Sequence, residues 1–483
     1  MNGRTNEYLP LSIILVIAIG AGAGASLVSL QDVVVVALFG TCLIPAAIAL
    51  RRGSFDVFEP LVFYSLFMFM TTVVIFDRLY LQDPYLLYPE WVPWEFSTAL
   101  LIVSSIYLFF FIFVVLGYYV DLEKVVTVPE LFPESGEHDP VVLRYAGIFY
   151  VGAGFVFYLA FVGSALDWEF VRLYTTTEPR NELFSGAQHW RLGSRMLYLG
   201  YVLWLVSVIL EGRHLRLLHV FFVFPLVLMF LLLGGRSQAL LTLLAVVIVL
   251  YYSNALYPEG VFRIQFADDR LHRYVFSTIL PALGLLSGLV VVVAGWLRSR
   301  RTDGASPVEI LIDLLTFGIQ DNEPDSILVT LHVVPEQLGY YYGTFSLRVV
   351  WTYIPRAIWE TEPLTLGVEI RRIIRPEQSG GRPPGMIGDF YVDGGVVGIV
   401  LGAILFGLLL RYMYLLLRKN GRSPVFLMVY AFVLGSLVSG GLTNNALWTI
   451  SNHLLLLSPV LVLDWASRNV DSVAALTEMI KRS

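Results

Sequence analysis

The chain has 483 residues, 57% of them hydrophobic and only 14% charged, with a mean hydropathy of +0.72. That composition excludes an ordinary soluble globular domain. Its net charge of −6 argues against a nucleic-acid partner, and a single cysteine, Cys42, rules out an internal disulfide or a thiolate metal site.

A helix needs about 20 apolar residues to cross a bilayer core. In chain order, twelve segments meet that need, near 9–29, 33–50, 57–76, 97–119, 145–164, 196–210, 216–233, 238–256, 275–296, 387–414, 424–440 and 446–464. The sixth is short, and the tenth is long enough to begin outside the hydrocarbon. The first follows Arg4 and runs into Ala21-Gly22-Ala23-Gly24-Ala25, as a signal peptide would. Its apolar stretch continues past that point, so it reads as an uncleaved helix. The expected fold is an all-α polytopic membrane protein of about twelve spans. Its parts are spans one to nine (1–296), a long polar loop (297–385), spans ten to twelve (386–465) and a tail (466–483).

Basic residues set the expected orientation. With the N-terminus inside, sixteen lysines and arginines fall on the cytoplasmic side and six on the other, the long loop apart, and all three lysines fall inside. Both termini are then cytoplasmic, and loop 297–385 is external. Of the other external elements, 77–96 is rich in Tyr, Trp and Pro and suits the headgroup level. Residues 165–194 lead into Arg191 and Arg195, and the turn Gly234-Gly235-Arg236-Ser237 leaves Arg236 at the outer mouth.

The long loop holds nine arginines, no lysine and eleven acidic residues. Ser306-Pro307-Val308-Glu309 is a capping box opening an amphipathic helix over 308–317. Asp325-Ser326 starts a second helix that runs through His332 and stops before Pro335. A third, near 364–375, brings Arg371, Arg372 and Arg375 close together. A turn-rich hinge, 379–385, leads into the tenth span.

No Walker loop, HExxH, GxSxG or Cys/His cluster is present. Glu323-Pro324-Asp325 has the look of a metal-holding acidic pair, but such pairs sit in the first external loop of lipid-dependent glycosyltransferases, and that loop here offers only Asp32. No metal or other cofactor is therefore expected. What remains at the outer boundary is arginine, carboxylate and aromatic side chains. Arginine holds phosphate bidentately and keeps its charge in a low dielectric, which suits a lipid-linked diphosphate whose tail stays in the bilayer.

Three segments carry a resemblance. Gly234-Gly235-Arg236-Ser237 resembles the arginine turn of Wzy-type oligosaccharide repeat-unit polymerases, also called O-antigen polymerases. Tyr353-Ile354-Pro355-Arg356-Ala357-Ile358-Trp359 resembles their Y-x-P-R-x-hydrophobic-W loop segment. Pro384-Gly385-Met386-Ile387-Gly388-Asp389-Phe390-Tyr391 is similar to their segment at the outer end of a late helix, with aspartate where the family more often has glutamate. The likeness covers roughly 230–415. It implies an enzyme of the cytoplasmic membrane that transfers a growing glycan from one polyprenyl diphosphate onto a repeat unit carried by another. Membrane lipids and a chain-length regulator are the further partners it implies.

On this reading the candidate bases are Asp389 and His332, and the candidate diphosphate-binding residues are Arg236, Arg356, Arg372, Arg375 and Arg382. Each has a structural alternative. Arg236 can be a snorkelling helix-end residue, Arg356 a headgroup anchor, and Arg372 and Arg375 members of ion pairs with Glu360, Glu362 or Glu369. His332 can be a satisfied core histidine, and Asp389 a helix cap. Two other activities stay open: an O-antigen-ligase type of transfer to a different acceptor, and a flippase or exporter of lipid-linked oligosaccharide.

Overall fold

The computed structural model describes residues 30–52, 55–80, 92–130, 138–169, 187–212, 222–232, 236–256, 323–344, 366–376, 384–440 and 444–468. Their α-helices are α1 (Leu30–Arg51), α2 (Pro60–Tyr80), α3 (Phe96–Tyr118), α4 (Pro140–Leu166), α5 (Gln188–Gly193), α6 (Met196–Leu210), α7 (Val223–Leu232), α8 (Arg236–Leu256), α9 (Glu323–Val333), α10 (Leu366–Ile374), α11 (Gly385–Asn420), α12 (Pro424–Gly440) and α13 (Asn444–Arg468). No strand occurs among the described residues.

Among the described residues, six stretches are long and apolar enough to cross a membrane: Asp32–Arg51, Phe96–Tyr118, Pro140–Leu166, His189–Leu210, Gly385–Asn420 and Leu447–Ser467. Three shorter apolar helices, Pro60–Phe69, Gln238–Ser253 and Pro424–Val438, accompany them. The expected first and ninth spans and the amphipathic helix 308–317 lie outside the described residues. The sixth span, short at 196–210, is lengthened by α5 into a stretch that is long enough.

The surface agrees with immersion in lipid. α4 leaves Tyr145, Ile148, Phe149 and Val156 exposed, and α11 exposes Val396, Val397, Leu401 and Leu405. These recur at three- and four-residue intervals, so each helix turns an apolar stripe outward, where a soluble protein would place charge. The chain is a multi-pass membrane protein.

Two compact units share the chain. The first comprises Met1–Thr127, Pro307–Leu415 and Leu437–Trp448; the second comprises Val128–Ser306, Leu416–Ser436 and Thr449–Ser483. In the first, α1 packs on α2 and α3, and α3 meets α11 backbone to backbone. A Cβ on Gly117 would overlap Ile404 O, and one on Gly407 would overlap Val114 O. Small residues permit this approach, because little apolar area is left to drive helices together in lipid. The ring of Tyr64 meets Phe406 edge-on at 4.9 Å.

In the second unit, α4 lies along α6 at a similar glycine crossing. A Cβ on Gly147 would come 2.8 Å from Gly200 O, and one on Gly200 would come 2.6 Å from Gly147 O. Asp139 starts α4 by accepting from the N–H groups of Val141 (2.9 Å) and Val142 (3.3 Å), with Pro140 at the first helical position.

Candidate functional site

The candidate site lies in the first unit, where α9, the turn after it, α10 and the start of α11 converge. α9 and α10 form where capping and periodicity place them. α9 ends at Val333, just before Pro335. α10 buries Leu366, Gly367, Ile370 and Ile374 on one face and turns Glu369 and Arg372 away from it.

α11 is not one rod. It starts at Gly385 (φ 74°) and breaks at Gly394–Gly395, where Gly395 takes φ 62°, ψ −145°. That conformation strains any residue bearing a Cβ, and a Cβ there would also stand 3.2 Å from the Tyr340 hydroxyl. The break folds the first piece against the second. A Cβ at Gly398 would overlap Phe390 O, and one at Gly402 would overlap the Phe390 ring. The sequence suggests a continuous tenth span; α11 instead bends at Gly394–Gly395, where two adjacent glycines allow it. The hinge expected at 379–385 lies mostly outside the described residues.

The first piece carries two acids. Asp389 and Asp393, 6% and 8% exposed, lie four residues apart and hence on one face. Asp389 is inside the helix, four residues past its start, so it is not the helix cap that the sequence allows. Both aspartates are engaged by neighbours. A carboxylate taken out of water needs such partners.

Residues 334–344 roof the break. The Tyr341 N–H donates to Val392 O (2.9 Å), and the Tyr391 hydroxyl donates to Val334 O (3.3 Å). The Tyr341 hydroxyl donates to Glu369 Oε2 at 2.5 Å. Tyr341 therefore ties α10 to the aspartate-bearing piece of α11 through one residue. Nothing in the sequence marks it out from its neighbours Tyr340 and Tyr342.

The predicted site residues fall as follows. Asp389, His332, Arg372 and Arg375 all belong to this unit. His332 is half-buried in the last turn of α9, two residues past Thr330, whose Oγ1 would lie 3.8 Å from a Cβ on Gly388. Arg372 is exposed and Arg375 half-buried, and the Arg375 N–H donates to Arg371 O (2.8 Å). Arg236 is the first residue of α8, in the other unit, and its side chain is outside the described residues, as are Arg356 and Arg382 altogether.

The second unit holds two buried polar clusters that the sequence does not reveal. His138 Nδ1 is 2.9 Å from Asp464 Oδ2, and its Nε2 is 2.8 Å from Ser423 Oγ. The carboxylate fixes the Nδ1–H tautomer, so the Ser423 hydroxyl donates to Nε2. Asp464 also accepts from the Asp139 N–H (3.1 Å), and Ser423 Oγ accepts from the Phe426 N–H (3.3 Å). The order serine, histidine, aspartate is that of a nucleophilic triad. Here, however, Ser423 is 1% exposed, and Ser423 and Asp464 each hold a helix start. The cluster clamps the starts of α4 and α12 to the end of α13.

The other cluster is equally buried. Tyr198 and His453 are hydrogen-bonded partners, and Phe432 stacks on His453 at 5.3 Å between centroids. Arg195, 8% exposed and one turn before Tyr198, acts electrostatically on both and on Arg191. An arginine buried among spanning helices is costly and marks a functional candidate.

No protein-family model, no curated protein and no solved structure matches the chain.

Proposed function

We propose that the chain is an integral-membrane glycosyltransferase of the repeat-unit polymerase type. On this proposal it joins polyprenyl-diphosphate-linked oligosaccharides at the outer face of the cytoplasmic membrane for surface polysaccharide synthesis. The observation that carries it is the union, in one unit, of buried Asp389 and Asp393 on a broken helix with the arginine-bearing α10, through Tyr341. The twelve-span plan, with both termini cytoplasmic and 297–385 external, belongs to the same proposal.

In this reading an acceptor hydroxyl attacks the anomeric carbon of the donor glycan. The bond from that carbon to the diphosphate oxygen breaks, and polyprenyl diphosphate departs with the electron pair. Asp389 takes the hydroxyl proton. Arginines offset the charge that grows on the leaving diphosphate, which is where fixed cations lower the barrier most. Arg236, Arg356, Arg372, Arg375 and Arg382 are the candidates, and His332 is the alternative base. The reaction uses no nucleotide sugar.

The test is reconstitution of the purified protein with its lipid-diphosphate-linked repeat unit. A ladder of longer glycans is expected, and its absence with the authentic substrate would falsify the proposal. Arg236→Ala and Arg356→Ala are expected to abolish the ladder while expression persists; normal ladders from both would remove the diphosphate clamp. Transfer to an acceptor other than a second lipid-diphosphate-linked repeat unit would instead identify a ligase.

One observation favours a second reading. Arg195, Tyr198 and His453 are buried within a helix bundle, as residues lining an export path would be. Cells lacking the gene separate the two. Loss of a polymerase leaves single repeat units on the surface, whereas loss of an exporter traps them inside.

A further inference from the structure

Three consecutive tyrosines follow the sharp turn at Gly339, and they are treated very differently by the fold. Tyr341 is committed to Val392 O and Glu369. Tyr340 reaches over Gly395 and meets Tyr391 edge-on, with centroids 5.9 Å apart and an interplanar angle of 73°. Tyr342 is 82% exposed, with its ring 6.3 Å from that of Tyr340. A stair of rings thus leads from Tyr391, between the two aspartates in sequence, outward to Tyr342.

The exposure of Tyr342 is built rather than incidental. Its backbone sits at φ 51°, between Gly339 (φ 68°) and Gly343 (φ 83°). A tyrosine pays a steric cost for that conformation, and it persists only where the surroundings over-determine it. Tyr341 N–H on Val392 and the Thr344 N–H and Oγ1 on Tyr341 O (3.1 and 2.6 Å) supply that determination. The result is a rigid aromatic face held out beside the candidate site.

We infer that the Tyr340–Tyr342 turn is a platform for a pyranose ring of the glycan, with Tyr342 as its contact face. This rests on reading the chain as a glycan transferase. A pyranose offers an apolar face of C–H groups and a rim of hydroxyls. The first matches the Tyr342 ring, and the second matches the Tyr342 hydroxyl. An acyl chain would leave that hydroxyl without a partner in a dry contact. The aromatic stair then gives the growing glycan a fixed direction away from Asp389.

Saturation-transfer NMR tests this on the full-length protein in lipid nanodiscs. The probe is the oligosaccharide released by mild acid from the cells' own lipid-linked repeat units. Saturation is expected to reach the sugar C–H protons. Tyr342→Ala is expected to weaken binding roughly tenfold, as loss of one aromatic contact does, and Tyr342→Phe, which keeps the ring, to restore it. Unchanged transfer in Tyr342→Ala, or saturation confined to lipid protons, overturns the platform. The polymerase reading is separable. If no ladder forms but Tyr342-dependent sugar binding remains, the platform stands and polymerisation falls. If Arg356→Ala abolishes the ladder while Tyr342→Ala leaves sugar binding intact, polymerisation stands and the platform falls.

Discussion

The two polar centres differ in how completely the fold closes them. The cluster of His138, Ser423 and Asp464 is sealed, and Ser423 and Asp464 each also hold a helix start. Around α11 in the first unit, two acids are buried on a broken helix, a glycine is held at φ 62°, and a tyrosine beside them is almost wholly exposed in a strained backbone. The first arrangement spends its hydrogen bonds on position alone. The second keeps strain, charge and an open aromatic face together, the usual marks of a place where a ligand arrives. A triad-like order of residues is therefore a poorer guide to chemistry than incomplete closure.

The largest expected effect is on stability. His138→Ala removes the ring hydrogen bond to the buried Asp464 carboxylate and orphans the Ser423 hydroxyl, and loss of a buried hydrogen bond to a charged group costs about 1.5–3 kcal/mol. The melting temperature in detergent is expected to fall sharply, and an unchanged value would erase the contrast between the two centres. Next comes Gly395→Val, which forces a β-branched residue into the left-handed region at a cost on the order of 1–3 kcal/mol. It is expected to displace Tyr340 and abolish the glycan ladder, while the protein still elutes as a folded species in size-exclusion chromatography. Asp389→Asn is expected to remove the ladder with a melting temperature close to the parent's. A large drop in melting temperature would instead make Asp389 a structural residue like Asp464. The smallest effect is that of Tyr341→Phe, which loses the bond to Glu369 but keeps the backbone bond to Val392. About 0.5–1.5 kcal/mol is expected, together with a shortened ladder, and no change in product length would remove Tyr341 as the link between α10 and α11.

How much of this was legible depended on the range of the signal. α9 and α10 were readable because their cues are local: Pro335 stops α9, which begins at Glu323, two residues before the expected Asp325-Ser326 start, and α10 falls within the expected 364–375. Gly398 and Gly402 allow close packing against Phe390 of the same helix, its carbonyl at Gly398 and its ring at Gly402, and not against a separate span. Helical periodicity carries no sign that a chain will fold back on itself. The sealed cluster was beyond reach for a plainer reason: His138 lies 285 residues from Ser423 and 326 from Asp464. Only the tertiary fold brings them together. Tyr341 was hidden because its neighbours are the same residue type.

The break in α11 also changes a count of length. Unbroken, the 36 residues of this helix would extend about 54 Å at the helical rise, far beyond a hydrocarbon core of about 30 Å. Such a mismatch is ordinarily relieved by tilting or by thickening the bilayer. From Val396 onward the helix is roughly 37 Å long, enough to cross with little tilt. The nine residues before Gly394 are therefore not needed for crossing. They form a short arm folded back on the rest of the helix, and Asp389 and Asp393 are carried on it.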